Sequence, residues 1–161
     1  MKHLEREMIL LRGYPGYDKG FVGRDVDIRL RNTNSECEIM MKLKTSEHGV
    51  AREEVSLKLQ DHDLETSRKV LRGLGFTSGL KMVRTMDVYD YHGIEWQVVT
   101  TPKGLWYWEA EQAAREQTEV ASIQAHLTRE AGLLGLSVMT PEELQDFIHT
   151  LDTEVNVEVE L

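Results

Sequence analysis

The chain has 161 residues, 40% apolar and 29% charged, which suits one domain spanning residues 1–161 with a core of its own. Its 28 acidic against 19 basic residues give a net charge of −9, which argues against sequence-independent binding of DNA. No run approaches the roughly 20 apolar residues of a membrane span, and Glu5, Arg6 and Glu7 interrupt any apolar signal segment. The lone Cys37 excludes an internal disulfide, so a reducing cytoplasm is the expected setting and no membrane partner is expected.

Glycines at 13, 16, 20 and 23 suggest a flexible loop, without the spacing of a phosphate loop. Asp25–Arg31 then alternates Val26, Ile28 and Leu30 with Asp27, Arg29 and Arg31, which predicts a strand. Glu36–Thr45 and Arg52–Leu59 alternate in the same way. The turns between these three, RNTNSE and SEHG, make an antiparallel meander the simplest arrangement. From Asp61 the apolar spacing becomes helical through Leu64, Val70, Leu71 and Leu74, with Gly73 or Gly75 as the stop. Two strands follow, Lys81–Tyr91 and Ile94–Thr101, joined at His92-Gly93. Pro102 and Gly104 precede another, Leu105–Ala113.

A stripe of Val120, Ile123, Leu127 and Ala131 predicts a helix from about Arg115 to Leu134. Thr140-Pro141-Glu142-Glu143 opens a second: Thr caps, Pro fills the first turn, and the acids suit the positive end of the helix dipole. The tail EVNVEVEL alternates strictly and can add a strand.

The polar faces of these strands repeat one theme: Glu5-x-Glu7, Arg29-x-Arg31, Lys42-x-Lys44, Arg52-x-Glu54 and Glu109-x-Glu111. A spacing of two puts both members of each pair on one face of a strand. If the sheet curls with these faces inward, cations and carboxylates line a channel. Arg and Lys neutralise phosphate oxygens, while clustered carboxylates hold the hard cation that accompanies polyphosphate, Mg2+ or Mn2+. The six histidines show no ligand spacing, so no zinc is expected. Trp96, Trp106 and Trp108 read first as packing residues, and second as a platform for a base or thiamine ring.

In order, the segments LEREMI, DIRLR, IMMKLK, REEVSLKL, DLETSRKVLRGLGF, LKMVRTMDVYDY and LWYWEAEQ resemble the CYTH superfamily over roughly residues 4 to 151. The superfamily includes thiamine triphosphatases, inorganic triphosphatases and class IV adenylate cyclases. The resemblance implies an α+β fold: a closed or nearly closed antiparallel β-barrel, the triphosphate tunnel, with flanking helices. It implies phosphate binding by Arg29, Arg31, Lys42, Lys44, Arg52, Lys81 and Arg84, with metal held by Glu5, Glu7, Glu109 and Glu111. Lys81 and Arg84 are oddly spaced, so both face inward only across a β-bulge, and Arg84 is the preferred one.

Three departures from the family pattern matter. Ile9 stands where a Lys follows the first carboxylate pair. Val99, Thr100 and Thr101 fill a region that usually ends in a metal-binding Asp. The segment between Glu7 and Arg29 is also short, so either that hairpin is trimmed, the preferred reading, or Glu158 and Glu160 of the tail form the first carboxylate strand. The expected function is metal-dependent hydrolysis of a triphosphate-containing small molecule by a monomer or homodimer. A noncatalytic binding module ranks close behind, and a class IV adenylate cyclase third.

Overall fold

A computed structural model gives the architecture and describes residues 1–45, 51–60 and 64–161. One antiparallel sheet holds eight strands: β1 (Lys2–Leu11), β2 (Val26–Thr33), β3 (Glu36–Lys44), β4 (Arg52–Lys58), β5 (Ser78–Tyr91), β6 (Ile94–Thr100), β7 (Trp106–Glu111) and β8 (Val157–Glu160). Among the described residues four α-helices accompany it: α1 (Gly20–Gly23), α2 (Leu64–Gly73), α3 (Val120–Leu133) and α4 (Pro141–Thr150). The strand order is β4-β3-β2-β1-β5-β6-β7. β8 pairs with the first residues of β5, on the edge that β6 takes further along.

Two hairpins are set by local chemistry. Asn34-Ser35 joins β2 to β3 and His92-Gly93 joins β5 to β6, and all four residues have positive φ. Two-residue turns of that hand match the twist of the strands they connect.

The sheet curls until Arg6 of β1 feels Glu54 of β4 and both Glu109 and Glu111 of β7. Among the described residues, however, β4 and β7 do not pair, and the structure is an open half-barrel. The closed or nearly closed barrel expected from the sequence is corrected to this form. Strand direction supplies a reason. Along the seven-strand path directions alternate, so β4 and β7 run parallel, and a closing seam would be a short parallel pair, the less stable kind.

The outer face carries much of the core, and a second cluster of Met86, Val88 and Val99 with Leu4 and Tyr107 lies on the inner face. α2 brings Leu71 onto Ile9, Leu11, Leu30 and Leu161, and burying a Leu or Ile side chain contributes about 1.5–3 kcal/mol. α3 packs Ala131 and Leu127 on Ile94, Trp96 and Trp108. The seam between β1 and β5 depends on Gly79, where an added Cβ would lie 2.5 Å from Ile9 Cγ2 and 2.8 Å from the Leu10 carbonyl oxygen. α4 begins with a full capping box between Thr140 and Glu143. It lies on the inner side, where the Phe147 ring meets Tyr107 edge-on at 5.1 Å.

Strands and helices fall close to where the sequence places them, with local differences. β5 starts at Ser78 because β8 gives its first residues a partner. α3 starts at Val120 after a 3-10 turn, and the glycine-rich loop contains the single helical turn α1. The turn at Ser46–Gly49 and the helix start at Asp61–Asp63 lie outside the described residues. No described helix is long and apolar enough to cross a membrane.

Candidate functional site

Alternation and register decide which charges share the inner face. β2 sets Asp27 opposite Lys42, Arg29 opposite Met40 and Arg31 opposite Glu38. β3 sets Lys42 opposite Glu54 and Lys44 opposite Arg52. Directly opposed residues stand on one face of a sheet, so Arg29, Arg31, Lys42, Lys44 and Arg52 share the inner side. Arg84 opposes Arg6, and the β5–β6–β7 register puts Glu109 and Glu111 on that side as well, opposite Gln97 and Glu95.

Glu5, Glu7 and Lys81 do not join them. Glu7 opposes Val83 and Ile9 opposes Lys81, all on the outer face, where Lys81 Nζ lies 3.1 Å from Glu7 Oε1. The placement of a carboxylate pair of β1 in the channel is therefore corrected: the inner residues of β1 are Arg6, Met8 and Leu10. Ile9 packs in the outer core beside Leu30 and Leu71, so it occupies no position in the trough. In β8, Glu158 opposes Leu80 and Glu160 opposes Ser78, on the side of the sheet that carries Arg84. Glu158 pairs there with Arg12.

The wall made by β2, β3 and β4 is a network of matched charges. Asp27 is fully buried, with one oxygen 2.7 Å from Arg24 Nη1 and the other 3.0 Å from Arg29 Nη2. Burial alone pushes this carboxyl strongly upward, but Arg29 and Arg24 together outweigh it and hold it below its ordinary range. Arg31 Nε donates to Glu38 at 2.7 Å and Lys42 Nζ lies 2.6 Å from Glu54. Glu38 and Glu54 are likewise held low, their cations outweighing the upward push of burial.

Lys44 and Arg52 serve a different purpose. Arg52 donates to the carbonyls of Phe21 and Arg24, both at 2.6 Å, and Lys44 Nζ to that of Val22 at 3.1 Å. These are carbonyls at and just beyond α1, which its single turn leaves without helical partners. The Arg52 guanidinium also lies over the Phe21 ring, 5.2 Å from its centre. The two cations thus clamp the glycine-rich segment over the rim of the trough, and Val22 N–H donates to Gln145 of α4 from the other side.

The opposite wall is unbalanced. Arg84 is 4% exposed, yet among the described residues it bonds only neutral groups: Tyr107 Oη at 3.3 Å, Val83 O at 2.8 Å and Asn156 Oδ1 at 2.8 Å. Glu109 and Glu111 make no ion pair among the described residues. Glu109 is exposed to water, but the protein around it partly desolvates its carboxyl, and this, reinforced by Glu111, raises it above the ordinary range. Lys42, Arg29 and Arg6 oppose that rise from across the trough without cancelling it.

No three His, Cys, Asp or Glu side chains converge on one point among the described residues. Mg2+ needs fewer: it keeps waters and takes one or two carboxylates plus phosphate oxygens. Glu109 and Glu111, two crowded hard oxygen donors without a counter-ion, fit such an ion. Sequence reasoning passed over Arg6, Asp27, Arg84's neutral partner Asn156, and Glu95 beside Glu111. Arg6 was findable, since a spacing of two puts it on one strand face with Leu4, Met8 and Leu10.

No protein-family model matches the chain, and comparison with curated protein sequences gives no match. Solved structures do. PH1819 from Pyrococcus horikoshii OT3 is 23% identical, over 89% of this chain and 84% of that one, with a TM-score of 0.72. A conserved hypothetical protein from Pyrococcus furiosus is 20% identical, over 89% and 78%, with a TM-score of 0.63. A "putative adenylate cyclase" from Vibrio parahaemolyticus is 11% identical, over 91% and 86%, with a TM-score of 0.60. At these identities the likeness speaks for architecture, and together with the ordered strand motifs it supports a CYTH-like fold.

Proposed function

We propose that the trough binds a triphosphate-containing small molecule together with Mg2+ or Mn2+, and hydrolyses it. The observation that carries this reading is that one wall of the trough holds two uncompensated features among the described residues: a buried Arg84 that bonds only neutral groups, and Glu109 with Glu111, which make no ion pair. A polyphosphate chain with its divalent ion supplies both missing charges at once. Arg29, Arg31, Lys42 and Arg6 stand along the remaining length to take further phosphate oxygens. Glu109 and Glu111 would hold the ion, which when bound neutralises charge on the phosphate oxygens. Phosphoryl transfer asks mainly for such positioning and charge stabilisation. Tripolyphosphate, a nucleoside triphosphate and thiamine triphosphate all carry the required group.

The second reading, a noncatalytic polyphosphate-binding module, has its own support. Val99 is packed with Met86 and Val88, and Thr101 hydroxyl accepts from Leu105 N–H, so this stretch supplies no acid to a metal. The cyclase reading ranks third and draws on the Vibrio parahaemolyticus neighbour. One assay separates them: the protein is incubated with tripolyphosphate, ATP or thiamine triphosphate and either Mg2+ or Mn2+, and the products are measured. Inorganic phosphate identifies a hydrolase, cyclic AMP with pyrophosphate a cyclase, and calorimetric binding without products a module. Absence of binding to all three overturns the proposal.

A further inference from the structure

β4 is the barest strand of the sheet. Every residue from Glu53 to Lys58 is exposed, and among the described residues its outer edge pairs with nothing. Its outer-face side chains Val55 and Leu57 are 42% and 66% exposed. An unpaired edge of this length invites another strand. The chain's own β7 is a poor candidate, because it runs parallel to β4 and would bring Glu109 and Glu111 beside Glu54.

A second copy of β4 fits far better. The strand REEVSLK is self-complementary about Ser56. Antiparallel pairing that sets Ser56 opposite the partner's Ser56 also sets Lys58 opposite the partner's Glu54 and Leu57 opposite the partner's Val55. A two-fold axis repeats both pairs, giving opposite charges on one face and apolar contacts on the other. The adjacent registers that keep the faces matched lose this. With Val55 opposite the partner's Val55, Arg52 meets the partner's Lys58. With Leu57 opposite the partner's Leu57, Lys58 meets the partner's Ser56.

Both charged groups have capacity to spare. Lys58 reaches Glu36 only at 3.7 Å, with both side chains largely in water. Glu54 engages Lys42 through one oxygen and is partly exposed.

We infer that the β4 edge is a homodimer seam, in which two copies join β4 to β4 across a two-fold axis at Ser56 and continue one sheet through both molecules. The seam is independent of what the trough binds.

Sedimentation of the wild-type protein should give twice the 18.5 kDa of the chain. Lys58→Glu should shift it toward monomer by placing two acids together, and Lys58→Glu combined with Glu54→Lys should restore the dimer. Register is read by cysteine placement. Opposed residues of an antiparallel pair lie at Cα distances that a disulfide can span, so Ser56→Cys should cross-link into a covalent dimer on oxidation. Val55→Cys and Leu57→Cys should do so far less, and the buried Cys37 should give wild type no cross-link. A monomeric wild type at ~100 µM, where even a weak specific dimer with micromolar affinity would form, overturns the inference. So does a dimer indifferent to Lys58→Glu, or one that cross-links preferentially through Val55 or Leu57.

Discussion

The two walls of the trough place charges at every second strand position, yet they leave those charges in opposite states. On the β2–β3–β4 wall Asp27, Glu38 and Glu54 each sit against a cation, and all three carboxyls are held below their ordinary range. On the β7 wall Glu109 and Glu111 make no ion pair among the described residues, Glu111 accepting from the neutral Gln97 amide at 3.5 Å, and Glu109 is pushed up. The first wall has already spent its electrostatics on its own stability. The second holds negative charge that a bound cation would relieve. The proposed ligand would therefore gain most at β7 and Arg84, and on the paired wall it would compete with carboxylates already in place.

The largest effect should come from breaking the paired wall at its centre. Asp27→Asn leaves Arg24 and Arg29 without their shared buried carboxylate, and loss of one partner from a buried pair typically costs about 3–5 kcal/mol. Urea unfolding should show that loss. Arg52→Gln comes next, because hydrogen bonds from a charged donor contribute about 1.5–3 kcal/mol. Its stronger signature should be faster protease cleavage between Gly13 and Arg24, since the α1 carbonyls lose their clamp.

On the unbalanced wall, joint Glu109→Gln and Glu111→Gln should leave the fold intact and raise the melting temperature of the unliganded protein at neutral pH. The same change should lower Mn2+-dependent tripolyphosphate affinity on the order of tenfold, or about 1.4 kcal/mol. Glu142→Gln with Glu143→Gln, on α4, should leave that affinity nearly unchanged in the same titration. Equal losses at the two pairs would remove the metal from β7.

The smallest effect is the most diagnostic, because the walls should answer pH with opposite signs. Asp27 has a depressed folded-state pKa, so its contribution is present above its unfolded value near 3.8 and is lost as pH falls through the lower folded value. Glu109 has a raised folded-state pKa. Stability should therefore rise as pH falls from neutrality through that value toward the unfolded 4.5. Melting temperature against pH should climb modestly into mild acid, then fall below about 4. Glu109→Gln should remove the climb and keep the fall.

Much of the paired wall was legible because β2 and β3 have one apolar face and one charged face. The hydrophobic pattern then sets inside from outside. β1 gives no such signal: Leu4, Arg6, Met8 and Leu10 alternate with Glu5, Glu7, Ile9 and Leu11, so each face mixes charge with apolar bulk. Both faces are covered, the outer by α2, and a frame shift of one residue exchanges every side chain between them. The alternation that placed Glu5 and Glu7 in the channel applied equally well to Arg6. The use of Lys44 and Arg52 on α1 was hidden for another reason. A single turn spelled Gly-Phe-Val-Gly has no periodicity to announce it, and a cation bound for a carbonyl looks in sequence like one bound for a phosphate.

β5 also governs the order in which this chain can fold. The β2–β3–β4 meander joins near neighbours in sequence, so the paired wall can assemble from local contacts on a short timescale. β1 can join β2 nearby in sequence, but its other edge must wait for residues about 70 to 85 positions further along, and β8 must come back to the same strand from the far end. Closing such long loops before any contact is gained slows the search. The β1–β5 seam, with Gly79 at its tightest point, is where refolding should be rate-limited. A bulkier residue at Gly79 should thus lengthen the refolding time more than the same enlargement at Gly93, whose turn closes between adjacent strands.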